Sequence, residues 1–461
     1  MRVHFIFGKG VDGCGVTRGC QLFERWLTQQ GHETCILDFD NNQPFIRGQA
    51  ATFIGKRTVV GRKIDDVPDE VIKEVNKADV VIFHSYPTRK QFAFVERFRR
   101  FVYKIDGPLI VMHDHGVTAS TINAIPQAGE IFAQADVLVA QSTDGLTASA
   151  FTEFDPGLTN RVVENPIWLD TSELDEYDSP FDQRRKVLNY TGRSSPIKQL
   201  GVVPLTIEPM LAEGWRGEVI GAEPSINAVS TNGKLDAIYQ ERYRHLIQLW
   251  QISKIGRPGT VLPSRLKQGF LPADAVDPPI VAYSAYAHED GMKWLGSSMA
   301  SWAGYRLTKA EEYGVRMEYT QVEAYLLTVP IINSHFAENA LSPEGKTWGS
   351  YDCALTGSLD EIEKVQDDLR RIAASEEEWT SRHVACRDLV KRFNDIEAMA
   401  PKFLEQVLAL GKRKKSGLES LVTWWPEFQK ARDDGAIIMT TPTAITKKRK
   451  MVLEGRRQKD V

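Results

Sequence analysis

Cysteine is scarce in this sequence, and its pattern excludes two classes of protein. The five cysteines are odd in number, widely scattered and form no C-x-x-C pair: Cys14, Cys20, Cys35, Cys353 and Cys386. Disulfide-built secreted scaffolds and zinc modules both depend on regularly spaced pairs. We therefore expect reduced thiols in a cytoplasmic protein.

Long apolar runs are missing as well. No stretch approaches the roughly 18 consecutive apolar residues that a membrane span requires. The opening MRVHFIFGKG has an apolar part that is too short for a secretion signal. The sequence therefore predicts a protein with no membrane partner.

Charge is unevenly distributed along the 461 residues. The chain as a whole carries a formal net charge of −4, whereas residues 411–461 hold 13 Lys and Arg against six Asp and Glu. An acidic body with a basic tail suggests a polyanionic partner or a docking partner for the tail. A solvated tail without a partner is the alternative.

Short apolar runs alternate with helical patterns through most of the chain. The runs are VHFIF, TCILDF, DVVIFHS, PLIVMHD and DVLVAQS in the first third, then KVLNYT, GEVIGAE, PPIVAYSAY and TVPIINS. Apolar strands separated by helices indicate parallel sheets that are covered on both faces. The length suits two such domains. We expect α/β domains at 1–170 and 187–374, a polar linker at 171–186, a helical segment at 375–410 and a basic tail at 411–461.

A glycine-rich turn, FGKGVDGCGVTRG, follows the first strand and opens the first helix. Gly13 and Gly15 allow the backbone to approach a ligand closely, and a helix amino terminus attracts anions. The turn is not followed by the acidic residue that a dinucleotide site expects, although Asp38 and Asp40 keep NAD as a minor option. Glycine-rich first turns are common in α/β folds, so this signal alone is weak.

The apolar run PLIVM ends abruptly in His113, Asp114 and His115. Side chains alternate in direction along an extended segment, so three adjacent residues cannot all reach one metal ion. A metal site is therefore disfavoured. The remaining interpretations are a ligand site at the end of a strand and an ordinary hydrogen-bonded strand end.

The second domain carries two further charged motifs. TGRSSPIK places Arg193 and Lys198 around a glycine turn, where two cations suit a diphosphate. EYTQVE places Glu318 and Glu323 around a short helix, and carboxylates accept hydrogen bonds from ribose hydroxyls. Solvated surface charges are the alternative interpretation of both motifs.

Taken in order, these motifs resemble those of the DNA α-glucosyltransferases of T-even-type phages, which modify 5-hydroxymethylcytosine. The resembling stretches are GVDGCGVT with QQGHE, VMHDH, TGRSSPIK, AGYRLTK and MEYTQVE. The resemblance implies a GT-B fold, in which two Rossmann-like doubly wound domains face each other across a cleft, followed by a C-terminal helix and the basic tail. Residues 1–170 would form the acceptor side and 187–374 the nucleotide-sugar side.

The resemblance also implies a retaining transfer from a UDP-sugar, UDP-glucose or a UDP-pentose, to a 5-hydroxymethylated pyrimidine in double-stranded DNA. No metal is required for this, although Mg²⁺ is compatible with it. The cytoplasm of an infected bacterium would be its location, and evasion of host restriction its benefit.

Roles carried over by position divide into three groups. Catalysis would fall to His113, Asp114 and His115. Donor binding would involve Gly13, Gly15, Val16, Arg193, Lys198, Glu318, Tyr319, Thr320 and Glu323. Phosphates of the DNA would meet cations of the third helix or the tail, the helix candidates being Arg89, Lys90, Arg97, Arg99 and Arg100. An ordinary charged surface is the alternative for that helix.

Some features depart from the family. Thr328 stands before the strand VPII, where the family usually has glycine, and the basic tail is an apparent addition. Two other functions therefore stay open. One is a GT-B transferase acting on a lipid, a polysaccharide or a small molecule, and the other is an inactive GT-B scaffold that binds DNA.

Overall fold

A computed structural model describes the larger part of the chain. The described residues are 1–7, 15–38, 54–59, 67–85, 92–113, 130–140, 155–164, 167–192, 198–220, 280–283, 288–304 and 317–415. Within these ranges the chain forms two parallel sheets with helices packed against them. The α/β class and the doubly wound arrangement predicted from the sequence are confirmed.

The first sheet has seven strands in the order β3-β2-β1-β4-β5-β6-β7. The strands are β1 (Arg2–Phe7), β2 (Glu33–Asp38), β3 (Lys56–Val59), β4 (Val80–Ser85), β5 (Leu109–His113), β6 (Val137–Ala140) and β7 (Val162–Glu164). All of them pair in parallel. The order reverses between β1 and β4, and such a switch point at the carboxyl ends of the strands is where open α/β sheets bind ligands.

The second sheet has six parallel strands in the order β10-β9-β8-β11-β12-β13. They are β8 (Arg185–Thr191), β9 (Arg216–Ile220), β10 (Ile280–Tyr283), β11 (Ser298–Trp302), β12 (Val329–Asn333) and β13 (Leu355–Gly357). Its order reverses between β8 and β11, so this sheet repeats the topology of the first. Its own switch point therefore lies at the carboxyl ends of β8 and β11.

Helices cover both sheets. The described α-helices are α1 (Gly15–Gln29), α2 (Asp69–Val75), α3 (Phe92–Tyr103), α4 (Thr171–Asp175), α5 (Val202–Ile207), α6 (His288–Gly296), α7 (Tyr319–Leu327), α8 (Ser334–Asn339), α9 (Ile362–Ala374), α10 (Glu376–Asn394) and α11 (Ile396–Leu410). The apolar face of α1 is buried against the first sheet, with Leu22, Phe23, Trp26 and Leu27 in the core. Of the described helices, none has the length and apolar character to cross a membrane.

The predicted C-terminal helical segment is divided into two helices at Asp395. The backbone of Leu169 bonds both sides of the break, donating to Asn394 O and accepting from Ile396 N. Helix α10 packs on the second sheet, and α11 returns to the first, where Phe403 and Val407 join its core. The chain thus crosses between the two sheets twice, once in each direction.

The polar stretch at 171–186 is exposed at half of its residues, but it contains a buried arginine. Arg184 is buried, and its guanidinium lies 4.2 Å from the ring centroid of Trp379. It donates to Ser298 O at 2.9 Å and to Leu327 O at 2.6 Å, and it pairs with Asp178. Burial lowers the pKa of Arg184 to about 9. This cation fixes the entry into β8.

The first residues of the basic tail are packed against the first sheet. Arg413 donates to Asp155 at 2.6 Å and to Ala135 O at 2.7 Å. Lys415 lies 3.5 Å from Asp136, and Lys412 donates to Gly107 O. These partners precede β5, β6 and β7, so the contacts lie at the amino edge of the parallel sheet, opposite its ligand-binding edge.

Candidate functional site

The second sheet provides a tight turn at its switch point. Strand β8 ends at Thr191, and Gly192 follows with φ of +143°, a conformation that side chains rarely adopt. A Cβ at Gly192 would lie 3.0 Å from the Tyr190 hydroxyl and 3.2 Å from Thr320 Cγ2. Glycine is therefore required for both its conformation and the close approach of α7.

Lys198 lies beside this turn and faces the start of α7. It is only 5% exposed and forms an ion pair with Glu318. Its carbonyl accepts from Trp302 Nε1 at 2.7 Å, and the next residue, Gln199, accepts from Asn333 Nδ2 at 2.7 Å. The end of β11 thus fixes the backbone that carries the lysine, and the end of β12 holds the side chain of the next residue.

The amino end of α7 points at the same place. The backbone N–H of Glu318 donates to Gln321 Oε1 at 2.9 Å, and Gln321 Nε2 donates to Ala303 O at 2.8 Å. Tyr319 and Thr320 form the first turn, and the helix dipole favours an anion at this amino end. Together with Lys198, the helix end makes this edge of the sheet suitable for a phosphate group.

Helix α1 packs directly on α7. We call the first sheet with its helices the first unit, and the second sheet with its helices the second unit. A Cβ at Gly15 would lie 2.5 Å from Tyr319 Cδ2, and one at Gly19 would collide with the Tyr319 hydroxyl. Gly19 also accepts a hydrogen bond from Trp168 Nε1 at 2.8 Å. The two glycines therefore set the close contact between the first unit and the donor-side helix.

Glu323 is the buried carboxylate of the site, at 4% exposed. Its Oε1 lies 2.5 Å from Arg18 Nη1 on α1 and 3.1 Å from His288 Nε2 on α6. Burial raises the pKa of Glu323, and the Arg18 cation opposes that rise. Burial and Arg18 lower the pKa of His288 to about 3, so a neutral imidazole donates to the carboxylate.

The first sheet places two histidines at its ligand-binding edge. His113 ends β5 and is buried, and its ring centroid lies 4.9 Å from that of His84 on the adjacent β4. Burial, with a smaller contribution from His113, holds the pKa of His84 well below its usual value. One of the two rings is therefore kept neutral.

The structure brings together most of the donor-site residues that it describes. Gly15, Lys198, Glu318, Tyr319, Thr320 and Glu323 converge around the start of α7. The solvated alternative is wrong for Glu323 and Lys198, which are both buried. His113 does not belong to this cluster: it lies at the carboxyl end of β5, an inner strand of the first sheet.

Other predicted site residues lie outside the described part of the chain or have a different environment from the one predicted. Gly13, Arg89, Lys90, Asp114, His115 and Arg193 fall outside it, as do the side chains of Val16 and Arg97. Arg99 pairs with Glu130 at 3.0 Å, whereas Arg100 is exposed. Among the described residues, no group of three or more His, Cys, Asp or Glu is placed to hold a metal ion.

Sequence reasoning missed Arg18 and His288. Arg18 stands in the stretch that carries the resemblance, but nothing in its spacing indicates a partner 305 positions away. His288 has no neighbouring ligand residue in sequence, so its role as a donor to Glu323 depends on the tertiary fold.

Comparisons with known proteins bear on this arrangement. No family model matches the chain. The DNA alpha-glucosyltransferase of Enterobacteria phage T4 is 24% identical over 246 residues, which span 45% of this chain and 60% of that protein's length.

Solved structures match over more of the chain. An alpha-glucosyltransferase in complex with UDP and a 13-mer DNA containing a HMU base has a TM-score of 0.69 at 16% identity, covering 88% of this chain and 99% of that one. Anabaena HepE in complex with UDP-glucose has a TM-score of 0.53 at 11% identity, covering 89% and 100%. These similarities confirm the predicted GT-B fold and the predicted resemblance to phage DNA α-glucosyltransferases.

Proposed function

We propose that this chain is a retaining glycosyltransferase that moves a sugar from a UDP-sugar to the hydroxymethyl group of a modified pyrimidine in phage DNA. Glucose is the favoured sugar and a pentose the alternative. 5-Hydroxymethylcytosine is the favoured base. The cytoplasm of an infected bacterium is where such DNA would be met.

The observation that carries the proposal is the cluster at the start of α7. A buried lysine, a helix amino end and a buried carboxylate lie together at the switch point of the second sheet. A cation and helix N–H groups suit a diphosphate, and a carboxylate suits ribose hydroxyls. This combination fits a nucleotide diphosphate better than a neutral ligand.

The choice of DNA as acceptor is supported by the relatives. Those with DNA in their structures have TM-scores of 0.67–0.69 to this chain, whereas HepE and the starch synthase IV catalytic domain of Arabidopsis thaliana have 0.53 and 0.54. The structures solved with DNA are thus more similar to this chain than these two are.

The proposed chemistry needs charge at two places. The departing diphosphate would be stabilised by Arg193, Lys198 and the amino end of α7, which lower the barrier as negative charge develops on it. The acceptor is a primary alcohol, so His113 or Asp114 would help to position it near a proton acceptor. In a retaining transfer on one face of the sugar, the departing phosphate would help to accept the proton of the alcohol.

The test is mass spectrometry of nucleosides after incubation of the protein with 5-hydroxymethylcytosine DNA and separate UDP-sugars. We expect a mass gain of one hexose with UDP-glucose, and none with plain cytosine DNA. The Asp114→Ala variant should lose about two or more orders of magnitude in rate, a typical cost of removing an acid–base group.

Three other outcomes would change the proposal in different ways. A pentose gain would keep the reaction and replace the sugar. No gain with any donor, combined with tight UDP binding, would keep the donor site and move the acceptor to a lipid, a polysaccharide or a small molecule. A protein that binds DNA and no UDP-sugar would be an inactive scaffold.

A further inference from the structure

Arg18 makes a contact that the donor chemistry alone does not require. It belongs to α1, which covers the first sheet, yet its guanidinium reaches Glu323 on α7 of the second unit at 2.5 Å. Its side chain is 17% exposed and that of Glu323 5%. A buried pair of this kind is costly to form, because both charges leave water, so its placement beside the nucleotide site needs a reason.

Both contacts that described residues make with the Glu323 carboxylate engage the same oxygen. Arg18 Nη1 and His288 Nε2 both lie against Oε1 of Glu323. Two hydroxyls of a ribose would need an acceptor that stays ionised and keeps its orientation. Burial works against the ionised form, and a neighbouring cation works for it.

We propose that Arg18 is a positioning residue of the donor site, which holds Glu323 as an ionised and oriented acceptor for the ribose hydroxyls of the UDP-sugar. The proposal rests on the proposed function. It makes nucleotide binding by the second unit depend on a residue of the first.

The charged groups around Glu323 allow the pH dependence to be worked out. Arg18 faces it from α1 and His288 from α6; Glu318 at the start of α7 is paired with Lys198. Helices α4 and α10 also pack on α7, and the ion pairs of their described residues are formed away from Glu323, for example that of Glu173 with Arg25. His288, with a pKa of about 3, stays neutral above about pH 5.

The loss of Arg18 shifts the pKa of Glu323 in one direction. Removal of the Arg18 cation leaves burial unopposed, so the pKa of Glu323 rises further. The carboxyl then takes up a proton as the pH falls and accepts hydrogen bonds less well. Affinity for the donor should therefore fall with falling pH in the variant and not in the wild type.

The experiment is calorimetric titration with UDP-glucose from about pH 5.5 to about pH 8.5, a window in which its two phosphates carry no titrating proton. The variant Arg18→Met should bind about tenfold more weakly than the wild type at the acid end and within about twofold at the alkaline end. Arg18→Lys keeps the charge and should restore most of the wild-type profile.

Arg25→Met is the matched control. Arg25 lies on the same helix and forms a 3.2 Å pair with Glu173, but both side chains are more than 40% exposed. Its loss should leave the profile flat. Arg18→Gln is a second uncharged variant, which should show the pH profile expected of Arg18→Met. It replaces Arg18→Met if that protein fails to fold.

The outcomes separate the two proposals. A uniform loss of affinity at every pH, or no loss at any pH, would overturn the role of Arg18 while the UDP-sugar site stands. Failure of the wild type to bind UDP-glucose would overturn the proposed function and this inference with it. A weaker pH effect of Arg18→Met with the 2′-deoxyribose analogue would support the contact with ribose.

Discussion

Two lysines show how differently burial can place an ion pair. Lys198 and Lys293 both form ion pairs, but the Lys198 side chain is 6% exposed and that of Lys293 is 54% exposed. An exposed pair contributes little, because water and salt screen it. The proposed donor site assigns a diphosphate to Lys198, which lies beside the amino end of α7.

Replacement of Lys198 should therefore affect donor binding in particular. Lys198→Ala should weaken the binding of UDP-glucose by about 10- to 100-fold, since a charge-assisted hydrogen bond contributes about 1.5–3 kcal/mol. Lys293→Ala, which also removes an ion pair, should bind UDP-glucose as the wild type does. Titration calorimetry of both variants checks this, and equal losses would argue against Lys198 as a ligand of the diphosphate.

Thr328 shows how a departure from a family pattern can be harmless. Its φ of −144° is extended backbone that any residue adopts, so glycine is not needed there. The hydroxyl donates to Ala324 O at 2.9 Å and lies 2.8 Å from the Ser301 hydroxyl. The threonine caps the end of α7 in a buried position, which sequence reasoning alone could not distinguish from a functional change.

Residue-level prediction was possible where a motif indicated its chemistry. Lys198, Glu318 and Glu323 could be proposed from TGRSSPIK and EYTQVE because cations and carboxylates at strand ends have recognisable uses. Arg18 could not, because an arginine on an amphipathic helix is usually a solvated residue. Only the packing of α1 on α7 makes it a partner of a buried carboxylate.

At the scale of elements, the contact between α1 and α7 is set by missing side chains. Gly15 and Gly19 lie on one face of α1, and Tyr319 fills the space that their side chains would occupy. Glycine in a helix interior costs about 0.5–1 kcal/mol relative to alanine, so its presence here indicates a steric need.

Gly19→Ala should accordingly destabilise the protein despite the better helix propensity of alanine. The new Cβ meets the Tyr319 hydroxyl, and overpacking of this kind costs about 1–3 kcal/mol. Removal of that hydroxyl in the double variant Gly19→Ala, Tyr319→Phe should recover part of the loss. Chemical denaturation of the three proteins measures it, and a double variant no more stable than Gly19→Ala would place the strain elsewhere.

Strand prediction divided along physical lines. The long apolar runs became β1, β2, β4, β5 and β6 of the first sheet, with small differences at their ends. The strands that escaped prediction are β3 (KRTV), which is polar, β7 and β13, which have three residues each, and β11 (SMASW). Such segments become strands because a neighbour offers hydrogen bonds, and a single sequence does not display that.

On the scale of the whole molecule, the two sheets are linked by more than the donor cluster. Leu169 pairs with the backbone on both sides of Asp395, so the two crossings of the chain lie next to each other. Helix α11 then adds Phe403, which makes edge-on ring contacts with Trp168 and Phe23. The sequence predicted two domains, but it could not show that its last helix would complete the first one.

The attachment of Arg413 and Lys415 to the first sheet sets a limit for shortening the chain. Asp155 and Asp136 are fully buried, and these two cations are among their partners. Compared with a chain cut after Lys415, a chain cut after Gly411 should lose about 3–5 kcal/mol, because a buried carboxylate then lacks its cation. Thermal unfolding of the two truncated proteins decides the matter, and equal melting temperatures would show that the pairs contribute nothing.

The same attachment changes what the basic tail can be credited with. A count of charges treats every lysine and arginine after Leu410 as available to a polyanion. Arg413 and Lys415 are instead fastened to carboxylates at the edge of the first sheet that faces away from the cleft. An engineered tag or fluorescent label joined after residue 415 would accordingly start at the amino edge of the first sheet, opposite the carboxyl edge at which β5 ends in His113.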